Sequence, residues 1–159
     1  MSTTKLVKVY EDDDLLVIKG RLDGGTAPGP IDASTSDSVV SEFVSGQTIS
    51  ALQLVYVDPT NGRIFPADST DQDCAGKIIG IATTTVAGAG QTVSVVTHGP
   101  LTDPGFNFNV TDDPCVFANG LTGQISQTAP LAPHFNLNVG SVLDANCIFV
   151  DIGEPILRN

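Results

Sequence analysis

The sequence predicts an all-β protein, a small β-sandwich or β-barrel of short antiparallel strands with an extended N-terminal arm. Three observations carry this expectation. Seventeen Val and sixteen Thr in 159 residues favour strands, because β-branched side chains pack well on a pleated surface and lose rotamer freedom in a helix. Turn signals recur every ten or so residues, separating about seven to nine short apolar segments, a spacing that suits a sandwich or barrel. No long helical pattern separates these segments, so a parallel sheet wrapped in helices is not expected.

The elements follow in order. Residues 5–10 (Lys-Leu-Val-Lys-Val-Tyr) alternate and residues 14–19 form a second apolar run, with Glu11-Asp12-Asp13 between them, which reads as a hairpin. Residues 20–38 are rich in Gly, Pro and Ser and read as a linker or arm. Val39, Val40, Phe43 and Val44, closed by Gly46, fit a short helical face, with a strand start as the alternative. Residues 52–58 and 63–66 flank Pro59-Thr60-Asn61-Gly62, where the Asn-Gly step supplies positive φ angles for a tight hairpin.

Residues 77–83 and 92–97 form a second hairpin around Ala87-Gly-Ala-Gly90. Gly99-Pro-Leu-Thr102 reads as an edge or closing strand, since Pro100 argues against a central place. Pro104-Gly-Phe-Asn-Phe-Asn-Val110 reads as a strand whose Phe106 and Phe108 face the core or form a contact patch. Residues 115–118 and 121–126 pair across Asn119-Gly120, and residues 139–143 pair with 147–152 across Asp144-Ala-Asn146. No repeat of fixed period is evident. The expected division is 1–45, a hairpin and attachment arm, and 46–159, the β-module.

Seven basic against eighteen acidic residues give a net charge of −11, the wrong sign for a surface that tracks phosphates, so direct nucleic-acid binding is not expected. No stretch reaches the roughly 18 uninterrupted apolar residues of a membrane helix. The N-terminus has no signal-peptide anatomy, which predicts synthesis in a cytoplasm. No cofactor and no metal are expected.

Several candidate sites carry a bland and a chemical reading. His98 and His134 are candidate bases, each more simply read as a hydrogen-bonded or solvent-facing side chain. Asp68, Asp71 and Asp73 crowd one loop but lack the central Gly and closing Glu of a calcium loop, and Glu11 to Asp14 read as a charged hairpin tip. Asn109-Val-Thr111 matches a glycosylation sequon by chance. Cys74, Cys115 and Cys147 match neither a metal knuckle nor a dense disulfide framework, and read as free buried thiols or as inter-subunit disulfides. Cys74 is expected to be the most exposed and Cys147 the most buried.

The order of Gly46-Gln-Thr-Ile-Ser-Ala-Leu-Gln-Leu-Val-Tyr, Gly62-Arg-Ile-Phe-Pro-Ala-Asp-Ser-Thr-Asp71, Ala75-Gly-Lys-Ile-Ile-Gly-Ile-Ala82, Leu101-Thr-Asp-Pro-Gly105, Pro114-Cys-Val-Phe-Ala-Asn-Gly-Leu-Thr122 and Val150-Asp-Ile resembles a module of tailed-bacteriophage structural proteins. The resemblance spans about residues 46–157 and has no catalytic signature. It implies a non-enzymatic virion protein, either a capsid decoration (cement) protein or a part of the tail, neck or fibre. The short body without a repetitive shaft favours decoration. The partners so implied are the major capsid protein and copies of the chain itself, as a trimer or alternatively a dimer, on the capsid surface. Leu6, Val7, Val9, Leu15, Val17 and Ile18 would supply a binding arm by strand addition. A host glycan-binding module is the third reading, disfavoured by the absence of Trp and the presence of only two Tyr.

Overall fold

A computed structural model describes residues 38–111 and 113–157. The expected hairpin of residues 5–19 and the arm lie outside them. The body is all-β and antiparallel, a single curled sheet forming a half-barrel. Its strands are β1 (Val39–Val44), β2 (Leu54–Asp58), β3 (Arg63–Pro66), β4 (Ile78–Ala82), β5 (Thr92–Thr102), β6 (Cys115–Ala118), β7 (Ile125–Ser126), β8 (Asn138–Asp144) and β9 (Cys147–Asp151), with a one-turn helix α1 (Gln72–Ala75).

Residues 39–44 form a strand, not a helical face. β1 pairs with β5 from Val44↔Thr92 to Val39↔His98, so the body begins before residue 46. The β2–β3 hairpin forms as expected, but its turn differs: Gly62 alone takes positive φ, at 69°, and Asn61 does not. The Asp58 carboxylate organises the loop instead, accepting from the Thr60 backbone amide at 2.9 Å, the Thr60 hydroxyl at 2.7 Å and the Asn61 side-chain amide Nδ2 at 2.8 Å. These bonds hold its carboxyl below the ordinary carboxylate range.

β5 is the long strand of the sheet, and Pro100 lies in its second half, where among the described strands it pairs with β9 alone. His98 pairs with Val39 on one side and Asp151 on the other, so β9 takes over the side on which Val95 and Val96 pair with β4. In a strand, N–H and C=O of one residue point the same way. The Pro100 carbonyl accepts from the Ser38 hydroxyl on the β1 side, so the missing N–H also faces that side, where β1 has ended, and no bond to β9 is lost. Register shifts at Thr97, and Gly99 at φ 103° follows it. This bulge turns the strand over: Val93 and Val95 face one core, whereas Val96 and Leu101 both face the other.

The strand order β3-β2-β4-β5-β9-β8-β6-β7 reads the same from both ends when β2, β3, β4 and β5 are matched to β6, β7, β8 and β9. Registers match too. Val55 faces Gly80 and Tyr56 faces Ile78 across a bulge, and Val116 faces Gly140 and Phe117 faces Asn138 across another. Each bulge carries the same bond, Val57 amide to Lys77 carbonyl at 3.0 Å and Ala118 amide to Leu137 carbonyl at 3.0 Å. The chain therefore contains an internal structural repeat that its sequence does not announce.

In the first half, β1-β5-β4-β2-β3 curls until Ser45 bridges Ile64 and the Gly46 amide donates to the Ile64 carbonyl at 2.8 Å. Inside it lie Val55, Ile64, Ala82 and Val95, with Val57 and Ile79 against them. Their counterparts Val116, Ile125, Val142, Ile148, Ala118 and Val139 line the second half, in a larger core that also buries Leu54, Ile78, Ile81 and Val96 from the outer face of the first. Full burial of a Val, Leu or Ile side chain stabilises by about 1.5–3 kcal/mol.

Gly80 and Gly140 occupy equivalent places. A Cβ at Gly80 would overlap the Val96 carbonyl, and one at Gly140 would overlap the Phe149 carbonyl. Gly76 and Gly88 have open space around the same position. Gly80→Ala and Gly140→Ala should each destabilise by about 1–3 kcal/mol, as overpacking does, while Gly76→Ala and Gly88→Ala should stay within about 0.5 kcal/mol. Urea denaturation of the four variants checks this.

Candidate protein–protein interface

The polar centre of the body is Ser69, buried at the meeting of three loops. Its amide donates to the Gly120 carbonyl at 3.0 Å, its hydroxyl oxygen accepts from the Gly120 amide at 2.9 Å, and its carbonyl accepts from the Phe135 amide at 2.9 Å. The hydroxyl also lies 2.6 Å from His134 Nδ1. A serine–histidine contact suggests a nucleophile and base, but here Ser69 is 2% exposed and its oxygen is held by a backbone amide. Such a hydroxyl has no approach for a substrate, so the pair ties loops together. Sequence reasoning found His134 but missed Ser69, which stands among Asp, Thr and Gln with no local signal.

The neighbouring carboxylates serve the backbone. Asp68 accepts from the Thr70 amide at 2.8 Å and its hydroxyl at 2.6 Å, and Asp71 caps α1 through the Asp73 amide at 2.9 Å. Among the described residues, no group of three His, Cys, Asp or Glu side chains is placed to hold a metal. His98 is exposed, 3.5 Å from Asp151 and edge-on to Phe149 with centroids 5.0 Å apart. Asn109 accepts from the Thr111 amide at 3.0 Å and hydroxyl at 2.8 Å, forming a local turn.

The cysteines invert part of the expected order. Cys74 is 1% exposed, not the most accessible, because α1 turns it inward, where its thiol lies 3.1 Å from the Asp68 and Asp71 carbonyl oxygens. Burial pushes this thiol up, and the Asp71 and Asp68 charges add to that. Cys147 is buried and accepts from the Thr102 hydroxyl at 3.2 Å. Cys115 is half-buried and is the thiol best placed to meet a partner. Its bond to the Asp113 carboxylate, followed by burial, pushes it up, because the neutral thiol donates and the thiolate would be repelled. All three are free.

Two surfaces offer adhesive character. The first is β1, where Val39, Val40 and Val44 are 51%, 54% and 45% exposed. Among the described residues β1 pairs only with β5, along one of its two edges. No family model matches the chain, and no curated protein matches it. The second surface is a groove of about 420 Å³ lined by residues 105–108 and 125–128. Residues 104–110, expected as a strand, are a loop in which Phe106 is buried and Phe108 packs against it, with ring centroids 5.0 Å apart. Asp103 sets that loop by accepting from the Gly105 amide at 2.7 Å, which favours a turn over ladder pairing. The arm residues Leu6, Val7, Val9, Leu15, Val17 and Ile18 lie outside the described residues. No helix among the described residues is long and apolar enough to cross a membrane.

Reaction with a neutral thiol reagent on the folded protein should modify Cys115 first and Cys74 last, separated by more than about tenfold in rate. Because the thiolate reacts and the Cys115 value is raised, its rate should keep climbing with pH beyond about 8.5, the ordinary thiol value. Peptide mapping over a pH series reads both. Fastest modification of Cys74 would contradict the geometry.

Proposed function

We propose that the chain is a non-enzymatic virion structural protein of a tailed bacteriophage, a capsid decoration protein that joins neighbouring major capsid subunits. The observation that carries this reading is β1. It presents three exposed valines on a strand that, among the described residues, pairs along one edge alone, and it lies within residues 1–45, the segment expected to attach. Strand addition at such an edge gives affinity through backbone hydrogen bonds with little demand on side-chain identity. A surface with an excess of acidic residues suits protein contacts better than contacts with packaged nucleic acid.

Copies of the chain are the second class of partner, with a trimer as the first assembly to test and a dimer next. Cys115, half-buried beside Asp113, is the cysteine suited to a cross-link after release into an oxidising medium. A tail, neck or fibre-attachment role is the alternative within the same class, and the exposed valines of β1 would serve it equally.

Copy number separates the two. Quantitative mass spectrometry of purified virions should find the protein in hundreds of copies, with non-reducing gels of the same sample showing any Cys115-linked species. A few dozen copies or fewer would overturn the decoration reading and move the protein to the tail or neck.

A further inference from the structure

The sequence holds two Asn-Gly steps, Asn61-Gly62 and Asn119-Gly120, and the fold treats them differently. In such a step the backbone nitrogen of the glycine can attack the side-chain carbonyl carbon of the asparagine, because a glycine has no Cβ to crowd the approach. Both glycines take a positive φ, 69° at Gly62 and 117° at Gly120. What separates the two steps is the hold on the attacking nitrogen.

At the first step the reacting groups stand at the surface. Asn61, Gly62 and Arg63 are exposed, and the space around Gly62 is open. Asn61 Oδ1 accepts from the Arg63 backbone amide at 2.8 Å, which folds the side chain back along its own backbone toward the Gly62 peptide. The same bond sets an N–H donor on the oxygen that gains negative charge when the carbonyl carbon is attacked. The Gly62 amide donates to the Asp58 carbonyl at 2.8 Å, and a bond at an exposed hairpin tip opens by local fluctuation. At the second step the Gly120 amide donates to the Ser69 hydroxyl oxygen at 2.9 Å, and Ser69 is 2% exposed. The Gly120 carbonyl accepts from the Ser69 amide at 3.0 Å, so freeing the Gly120 nitrogen means parting the junction of three loops.

We propose that Asn61 is a site of spontaneous deamidation and isoaspartate formation in the folded protein, and that Asn119 is protected by the Ser69 junction. The Gly62 nitrogen gives its proton to solvent and bonds to Asn61 Cγ. The Cγ–Nδ2 bond then breaks, and Nδ2 takes up a proton and leaves as ammonia. Water opens the resulting succinimide at the former side-chain carbonyl, giving aspartate, or at the backbone carbonyl, giving isoaspartate. Either product puts a carboxylate where Nδ2 had donated to Asp58 at 2.8 Å, so two like charges meet in the turn. The isoaspartyl product also lengthens the backbone between Asp58 and Arg63, which pair across the hairpin. Both changes loosen the β2–β3 tip, and neither depends on a partner or on the decoration reading.

The test ages the full chain in mildly alkaline buffer, folded and in guanidinium chloride, and follows both steps by peptide mapping with fragmentation that separates isoaspartate from aspartate. In the folded chain Asn61 should lose ammonia at least about tenfold faster than Asn119, because freeing the Gly120 nitrogen costs more than freeing that of Gly62. In denaturant, where neither turn is held, the two rates should converge to within about threefold. Asn61→Gln should abolish isoaspartate at that position, and Asn119→Gln should leave it. The Asn61→Asp chain, which carries one product, should exchange its Gly62 amide at least about tenfold faster than the parent, and a smaller change would overturn the loosening of the tip. A smaller ratio of Asn61 to Asn119 in the folded chain would overturn the proposal. So would an Asn61 that stays intact when folded while it reacts in denaturant.

Discussion

The body depends on β5 being shared. This strand forms the ladder of the first half with β1 and β4 and that of the second with β9, and His98 pairs to both sides at the crossing. A flat strand would show its alternate side chains to one core throughout. The bulge at Thr97 and the positive φ of Gly99 reverse that parity, so that Val95 serves one core and Leu101 the other. Without the reversal, Leu101 and Ile148 could not both face the larger core from paired positions.

The second constraint is close backbone approach. Gly80 and Gly140 each lie against a carbonyl of the next strand, and the curl at each bulge needs that clearance. The same device, used twice, gives two halves with matching interiors. Their exteriors differ. Leu54, Ile78, Ile81 and Val96 are buried between the halves, while their counterparts Cys115, Asn138, Ser141 and Phe149 are at least partly open to solvent.

That asymmetry explains why the repeat was illegible in the sequence. Interior positions match, as in Val55 with Val116 and Ile64 with Ile125, but outer-face pairs such as Ile78 with Asn138 and Ile81 with Ser141 change from apolar to polar, because one copy is covered and the other is not. The strands themselves were largely legible, since β-branched alternation and the Pro59 to Gly62 turn are local signals. Pro100 marked a stretch paired on one side, as β9 is its only described neighbour strand, but the sequence did not show that the same strand continues back between β1 and β4. Cys74 misled because the acidic residues around it turn out to cap the backbone, leaving the thiol on the inner side of α1. Residues 104–110 misled because alternation alone does not distinguish a strand from a turn held by an aspartate.

The polar groups of the described body are mostly spent on holding loops: Ser69 and His134 join three of them, and Asp58, Asp68 and Asp71 cap turns. Outward stand the exposed valines of β1, on a chain with an excess of acidic residues. The most direct measurement of this account is electron cryo-microscopy of the virion. Density for the nine-stranded body is expected on the outside of the capsid, with β1 against a shell subunit. Density for it only in the tail or neck, or a capsid exterior on which β1 faces solvent, would contradict it.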